Sequence, residues 1–120
     1  MTSRIVLIED DPDTVALLEE MLGELGHHID TRAYLEDGDG DGDAQLVITD
    51  LVSLHAFDLG AAREWIARVR TLFPNARIVV STAHAPAARA GAEGLGADAV
   101  LTKPFDVADF TAMVAGLIGG

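Results

Sequence analysis

The chain has 120 residues, 49% of them hydrophobic, with 8 basic against 20 acidic side chains, a formal net charge of −12 and no cysteine. That length suits one domain with a core of its own, the missing cysteines exclude disulfides and thiolate metal sites, and the acidity argues against a nucleic-acid partner, which needs a cationic footprint. No secretory leader opens the chain and no apolar run approaches the roughly 20 residues that span a bilayer, so the expectation is a soluble, cytoplasmic protein with no membrane contact and no direct nucleic-acid contact.

Residues 4–8 (RIVLI) form a short apolar run that stops at Glu9, Asp10 and Asp11. Such a run reads as a strand buried on both faces. Asp11 followed by Pro12 is a helix start, with a capping oxygen and then proline at the first helical position. Val15, Leu18, Leu22 and Leu25 follow at helical steps, and Gly26 suits the stop. Residues 28–33 predict a weaker strand at a sheet edge.

Residues 36–43 hold Glu36, Asp37, Asp39, Asp41 and Asp43, spaced by glycine. Glycine is a poor helix former and short acidic tracts stay solvated, so this stretch predicts at most a turn or two of helix. Asp37, Asp39, Asp41 and Gly42 match part of a calcium-binding loop, but its twelfth position is Ile48 instead of glutamate. A solvated loop is the better reading.

Residues 45–49 predict a second buried strand, ending at Asp50. The spacing of Ile66, Val69 and Phe73 predicts a helix over 63–73, with Trp65 as partly buried packing. Residues 77–81 predict a third buried strand, running into Thr82. An alanine-rich helix over 86–95 follows, then a short strand over 99–102 that stops at Lys103 and Pro104. Asp106 caps a last helix carrying Val107, Phe110, Val114 and Leu117. Strands alternating with helices imply a parallel sheet covered on both faces, an α/β fold.

The four buried runs stop at chemistry: Glu9 and Asp10, then Asp50, then Thr82, then Lys103. In an open parallel sheet the carboxyl ends of the strands border the ligand crevice. These five side chains should therefore converge. Any one alone reads as a turn, cap or surface residue; together they point to a site. Two carboxylates about 4 Å apart at an effective dielectric near 20 repel by about 4 kcal/mol. A divalent cation and an ammonium are the natural relief. Mg²⁺ suits few carboxylates plus water and phosphate, Lys103 is the kind of point charge used on phosphate, and the Thr82 hydroxyl can donate to a phosphoryl oxygen. Phosphoryl transfer needs mostly positioning and charge neutralisation, and a carboxylate can be the nucleophile. Asp50 is the candidate acceptor, Glu9 and Asp10 the candidate metal ligands.

On residues 5–11 (IVLIEDD), 46–50 (LVITD), 81–83 (STA) and 96–105 (GADAVLTKPF), the chain resembles the receiver domains of bacterial two-component response regulators over essentially all of its 120 residues. The resemblance implies a flavodoxin-like (CheY-like) three-layer fold for 1–120, with five parallel strands in order 2-1-3-4-5 and five helices, the second shortened or replaced by the acidic Asp-Gly tract. It implies Asp50 as phosphoacceptor, Glu9, Asp10, Asp50 and the Val52 backbone carbonyl around Mg²⁺ or Mn²⁺, Thr82 as switch hydroxyl, and Lys103 on the phosphoryl group. It also implies a sensor histidine kinase or phosphotransfer protein as donor, and a downstream effector as output partner. The family's output face is its fourth helix, fifth strand and fifth helix, which also serves homodimers. The chain departs from the pattern at Val100, where an aromatic is usual, in residues 51–57, which lack Pro-Gly, in the acidic tract, and at His84, two residues past Thr82. His27, His28, His55 and His84 share no metal-ligand spacing.

Two other readings fit less well. A degenerate receiver would bind partners without phosphorylation. A small phosphohydrolase would use Asp50 as nucleophile, but such enzymes commonly carry a second aspartate where Val52 stands.

Overall fold

The structure, a computed structural model, describes residues 4–32, 40, 42–51, 58–83, 85–103 and 105–118. In chain order the elements are β1 (Arg4–Ile8), α1 (Pro12–Glu24), β2 (His28–Arg32), β3 (Leu46–Thr49), α2 (Leu59–Leu72), β4 (Arg77–Thr82), α3 (Ala85–Leu95), β5 (Ala99–Thr102) and α4 (Val107–Ile118). The five strands are all parallel, in the order β2-β1-β3-β4-β5. Four helices are found among the described residues. The expected architecture is therefore present, and β2 is the edge strand that its weak pattern suggested.

Side-chain alternation explains the two layers. Successive residues of a strand point to opposite faces. Ile5, Leu7, Leu46, Ile48, Val79 and Leu101 point to one face, where Leu18, Met21 and Leu22 of α1 and Phe110 and Val114 of α4 cover them. Val6, Ile8, Val47, Ile78 and Val80 point to the other, covered by Ala62, Ile66 and Val69 of α2 and by Ala87 and Leu95 of α3. A strand buried on both faces must be apolar throughout, which is why β1 and β3 read as unbroken runs.

The helices differ from expectation in three places. In α1 the buried residues are Leu18, Met21 and Leu22, while Leu25 is the C-cap and is 40% exposed. The helix thus ends before its last predicted apolar position can turn inward, and Gly26 at φ 85° completes the stop. Asp11 caps the start as predicted, accepting from the Thr14 amide at 3.1 Å, and the Thr14 hydroxyl and amide hold its carboxyl below the ordinary range. Helix α2 begins at Leu59, four residues before the predicted 63, because Asp58 accepts from the Ala61 amide at 3.1 Å and caps it there. Helix α3 is kinked at Gly91, with φ 70° and ψ 176°. At the start of α4, Asp106 accepts from the Ala108 amide at 2.7 Å, as its capping role required.

Candidate functional site

Three ladders continue one residue beyond their strands. The Glu9 amide donates to Arg32 O at 3.0 Å, the Asp50 amide to Ile8 O at 2.9 Å, and the Lys103 amide to Thr82 O at 2.8 Å. Glu9, Asp50 and Lys103 are therefore held by sheet hydrogen bonds, although they lie outside the strands. This places all three at the carboxyl edge of the sheet.

There the side chains of Glu9, Asp10 and Asp50 converge, with ligand oxygens all within 4.8 Å of one another. Glu9 is only 2% exposed, Asp50 is half-buried and Asp10 faces solvent. The Lys103 ammonium donates to Glu9 Oε2 at 3.0 Å across 94 positions of sequence. The Asp11 amide donates to Glu9 Oε1 at 3.2 Å. Burial pushes the Glu9 carboxyl above the ordinary range; the Lys103 ammonium and the Asp11 amide pull it back, while the Asp50 carboxylate adds to the rise. The balance is a net rise, so this buried acid is under electrostatic load in the bare protein. Asp50 Oδ1 accepts from the Leu51 amide at 2.8 Å. One oxygen of Asp50 is thus held by its own backbone.

The donor set fits a hard divalent cation: oxygen ligands only, from few carboxylates, one of them exposed to water. Of the residues expected at the site, Glu9, Asp10, Asp50 and Lys103 are brought together. Thr82 lies fully buried at the end of β4, joined to the site through its carbonyl on the Lys103 amide. Val52, His55 and His84 lie outside the described residues, as do Asp37, Asp39 and Asp41 of the acidic tract.

Two features were not foreseen. The Trp65 indole N–H donates to Thr49 Oγ1 at 2.9 Å, and the Thr49 hydroxyl donates to Asp50 O at 2.7 Å. Strand alternation was the available signal, since Thr49 must face away from Asp50, toward α2. In addition, Ser81 Oγ is buried with no hydrogen-bond partner among the described residues. No residue pattern would have shown that.

No protein-family model matches the chain. In sequence it is 34% identical over 122 aligned positions to the transcriptional regulatory protein TcrA of Mycobacterium tuberculosis, covering 95% of this chain and 45% of TcrA. The chain thus spans about half the length of the curated relatives it matches. In structure it is similar to the response regulator TrrA of Thermotoga maritima, solved in complex with Mg²⁺ and BeF, at TM-score 0.71 and 27% identity over 97% of this chain and 99% of that one. It is also similar to the receiver domain of the sensor histidine kinase PA1611 of Pseudomonas aeruginosa, solved with magnesium in its active-site cleft, at TM-score 0.75 and 23% identity over the full length of both. In those two proteins magnesium is part of the solved complex; here a cluster of carboxylates stands at the carboxyl edge of the same kind of sheet. Likeness in sequence and in strand order thus leads to one result: the chain belongs to the family of two-component response regulator receiver domains.

Proposed function

We propose that this domain accepts a phosphoryl group on Asp50 in a Mg²⁺-dependent reaction and that the modification switches a partner-binding surface. The observation that carries this reading is the meeting of Glu9, Asp10 and Asp50 within 4.8 Å, beside the Lys103 ammonium. Glu9, Asp10 and Asp50, with the Val52 carbonyl, would hold Mg²⁺, or Mn²⁺ in its place. When bound, the ion neutralises negative oxygens that would otherwise repel one another. With Oδ1 held by the Leu51 amide, Asp50 presents Oδ2 as the nucleophile. A bond forms from that oxygen to phosphorus, and the bond from phosphorus to the donor atom breaks, its electron pair leaving with the donor. The donor is a phosphohistidine of a sensor kinase or phosphotransfer protein. The domain turns over no separate substrate and acts in the cytoplasm, through a downstream effector or a second copy.

Lys103 holds Glu9 in the resting site and would contact the added phosphoryl group; Thr82, at the neighbouring strand end, would supply the reading hydroxyl. Val100 packs against the α2–α3 core as an aliphatic residue. It has no ring to swing, so switching rests on Thr82, Lys103 and the loops that follow them. The same observation favours, as a second reading, a module that binds its partner without phosphorylation.

The test is incubation with a small phosphodonor and Mg²⁺, followed by intact mass. A gain of one phosphoryl group, lost on chelation and in Asp50→Asn, is expected. A gain that persists in Asp50→Asn would refute the assignment, and no gain together with no Mg²⁺ binding would favour the binding module.

A further inference from the structure

The Asp50 main chain is held from both sides. Its amide donates to Ile8 O at 2.9 Å, and its carbonyl accepts the Thr49 hydroxyl at 2.7 Å. Thr49 is the last residue of β3 and is fully buried. Its hydroxyl has one hydrogen, and chemistry fixes where that hydrogen goes. An indole N–H can only donate and a carbonyl can only accept. The direction is therefore Trp65 N–H to Thr49 O–H to Asp50 C=O, and each bond polarises the next.

The chain of bonds has a mechanical meaning. Residues 50 and 59 bracket the segment that joins the acceptor to α2. Trp65 lies in the second turn of α2, half-buried on the α2–α3 core, with the Arg68 guanidinium 5.9 Å from its ring. Through Thr49, the helix is tied directly to the acceptor's own peptide group, across that segment. The tie fixes the rotation of the Asp50 carbonyl about the Cα–C bond, and that rotation sets where the Leu51 amide sits relative to the Asp50 carboxylate that it holds. A rigid helix is a better anchor than a loop for such a constraint.

We infer that Thr49 and Trp65 are positioning residues for the acceptor, forming a hydrogen-bond relay that orients Asp50 for phosphoryl transfer. The inference rests on the acceptor reading above. Losing the Thr49 hydroxyl releases the Asp50 carbonyl, and losing the Trp65 N–H releases the hydroxyl that holds it, while the Asp50 amide stays on Ile8 O. Loss of one net hydrogen bond in the reacting geometry predicts about a fivefold slower uptake.

The experiment measures the rate of phosphoryl gain by mass at saturating Mg²⁺ and a fixed phosphodonor concentration, on the full chain. Thr49→Val and Trp65→Phe should each slow uptake about fivefold. The double variant should be no slower than either single one, since both break one relay. Thr49→Ser, which keeps the hydroxyl, should restore the wild-type rate. Restoration by Thr49→Ser is a result that lost packing alone would not give, because serine packs less well than valine there. Thr49→Val or Trp65→Phe phosphorylated at the wild-type rate, or single effects that multiply in the double variant, would overturn the relay while leaving the acceptor intact. Wild-type protein that gains no phosphoryl group would sink the acceptor reading and the relay with it.

Discussion

Removing the Asp50 carboxylate should make the metal-free protein more stable. Glu9 is almost wholly buried, its carboxyl is raised by that burial and by Asp50, and the two carboxylates have oxygens within 4.8 Å. At that separation and an effective dielectric near 20, one like pair costs about 3 kcal/mol. Asp50 is half-buried and the Lys103 ammonium lies 3.0 Å from Glu9, so solvent screening and the opposite charge reduce the net cost to about 1 kcal/mol. Asp50→Asn should therefore raise the unfolding free energy by about 1 kcal/mol at pH 7 with chelator present. The sign of the pH dependence follows from the raised carboxyl. A folded-state value above the unfolded one means that the ionised form costs stability. That cost is absent below the unfolded glutamate value of about 4.3 and grows as pH rises through the folded value. The advantage of Asp50→Asn should accordingly vanish below about pH 4 and be complete near neutrality. Mg²⁺ should reverse the order: at a hundred times its dissociation constant it stabilises the wild type by about 2.7 kcal/mol, and the variant by much less. Denaturant unfolding monitored by circular dichroism, with chelator or with Mg²⁺ at several pH values, reads all three effects. A variant less stable than wild type in chelator at pH 7, or a gap independent of pH, would refute the account of a loaded acid cluster.

Lys103→Met should destabilise the metal-free protein by about 2 kcal/mol, less than for a wholly buried pair because the lysine is partly exposed, and acidification should recover much of this by protonating Glu9; an unchanged unfolding midpoint would show that the ion pair contributes nothing. Gly91→Ala should cost about 1–3 kcal/mol, since φ 70° with ψ 176° is a region only glycine occupies readily. An added Cβ there meets nothing within 4 Å, so the cost is backbone strain alone. A rise in thermal stability would mean that α3 straightens when the kink is removed.

How much of this was legible beforehand depends on the range of the interaction. Strands buried on both faces betray themselves locally, because every position must be apolar, and β1, β3, β4 and β5 were read from their runs within a residue or so. The parallel, alternating order follows from helices placed between strands, and the polar residues that end those runs fall at one edge by topology alone. Glu9, Asp10, Asp50 and Lys103 were legible for that reason. Local signals failed where a competing contact set the outcome. Asp58 moved the start of α2 by capping it early, and α1 ended before Leu25, which is its C-cap, while Met21, outside the predicted face, is buried.

Sequence by itself determined the layers, the strand ends and the set of side chains at the carboxyl edge, because periodicity and chain connectivity act over short distances. Only the tertiary structure decided which of those groups touch. It paired Lys103 with Glu9 across 94 positions, buried that carboxyl enough to raise it, and aimed Trp65 through Thr49 at the Asp50 carbonyl. Such contacts depend on the distance between elements and on the direction each side chain leaves its backbone, and both exist only once the helices have packed on the sheet.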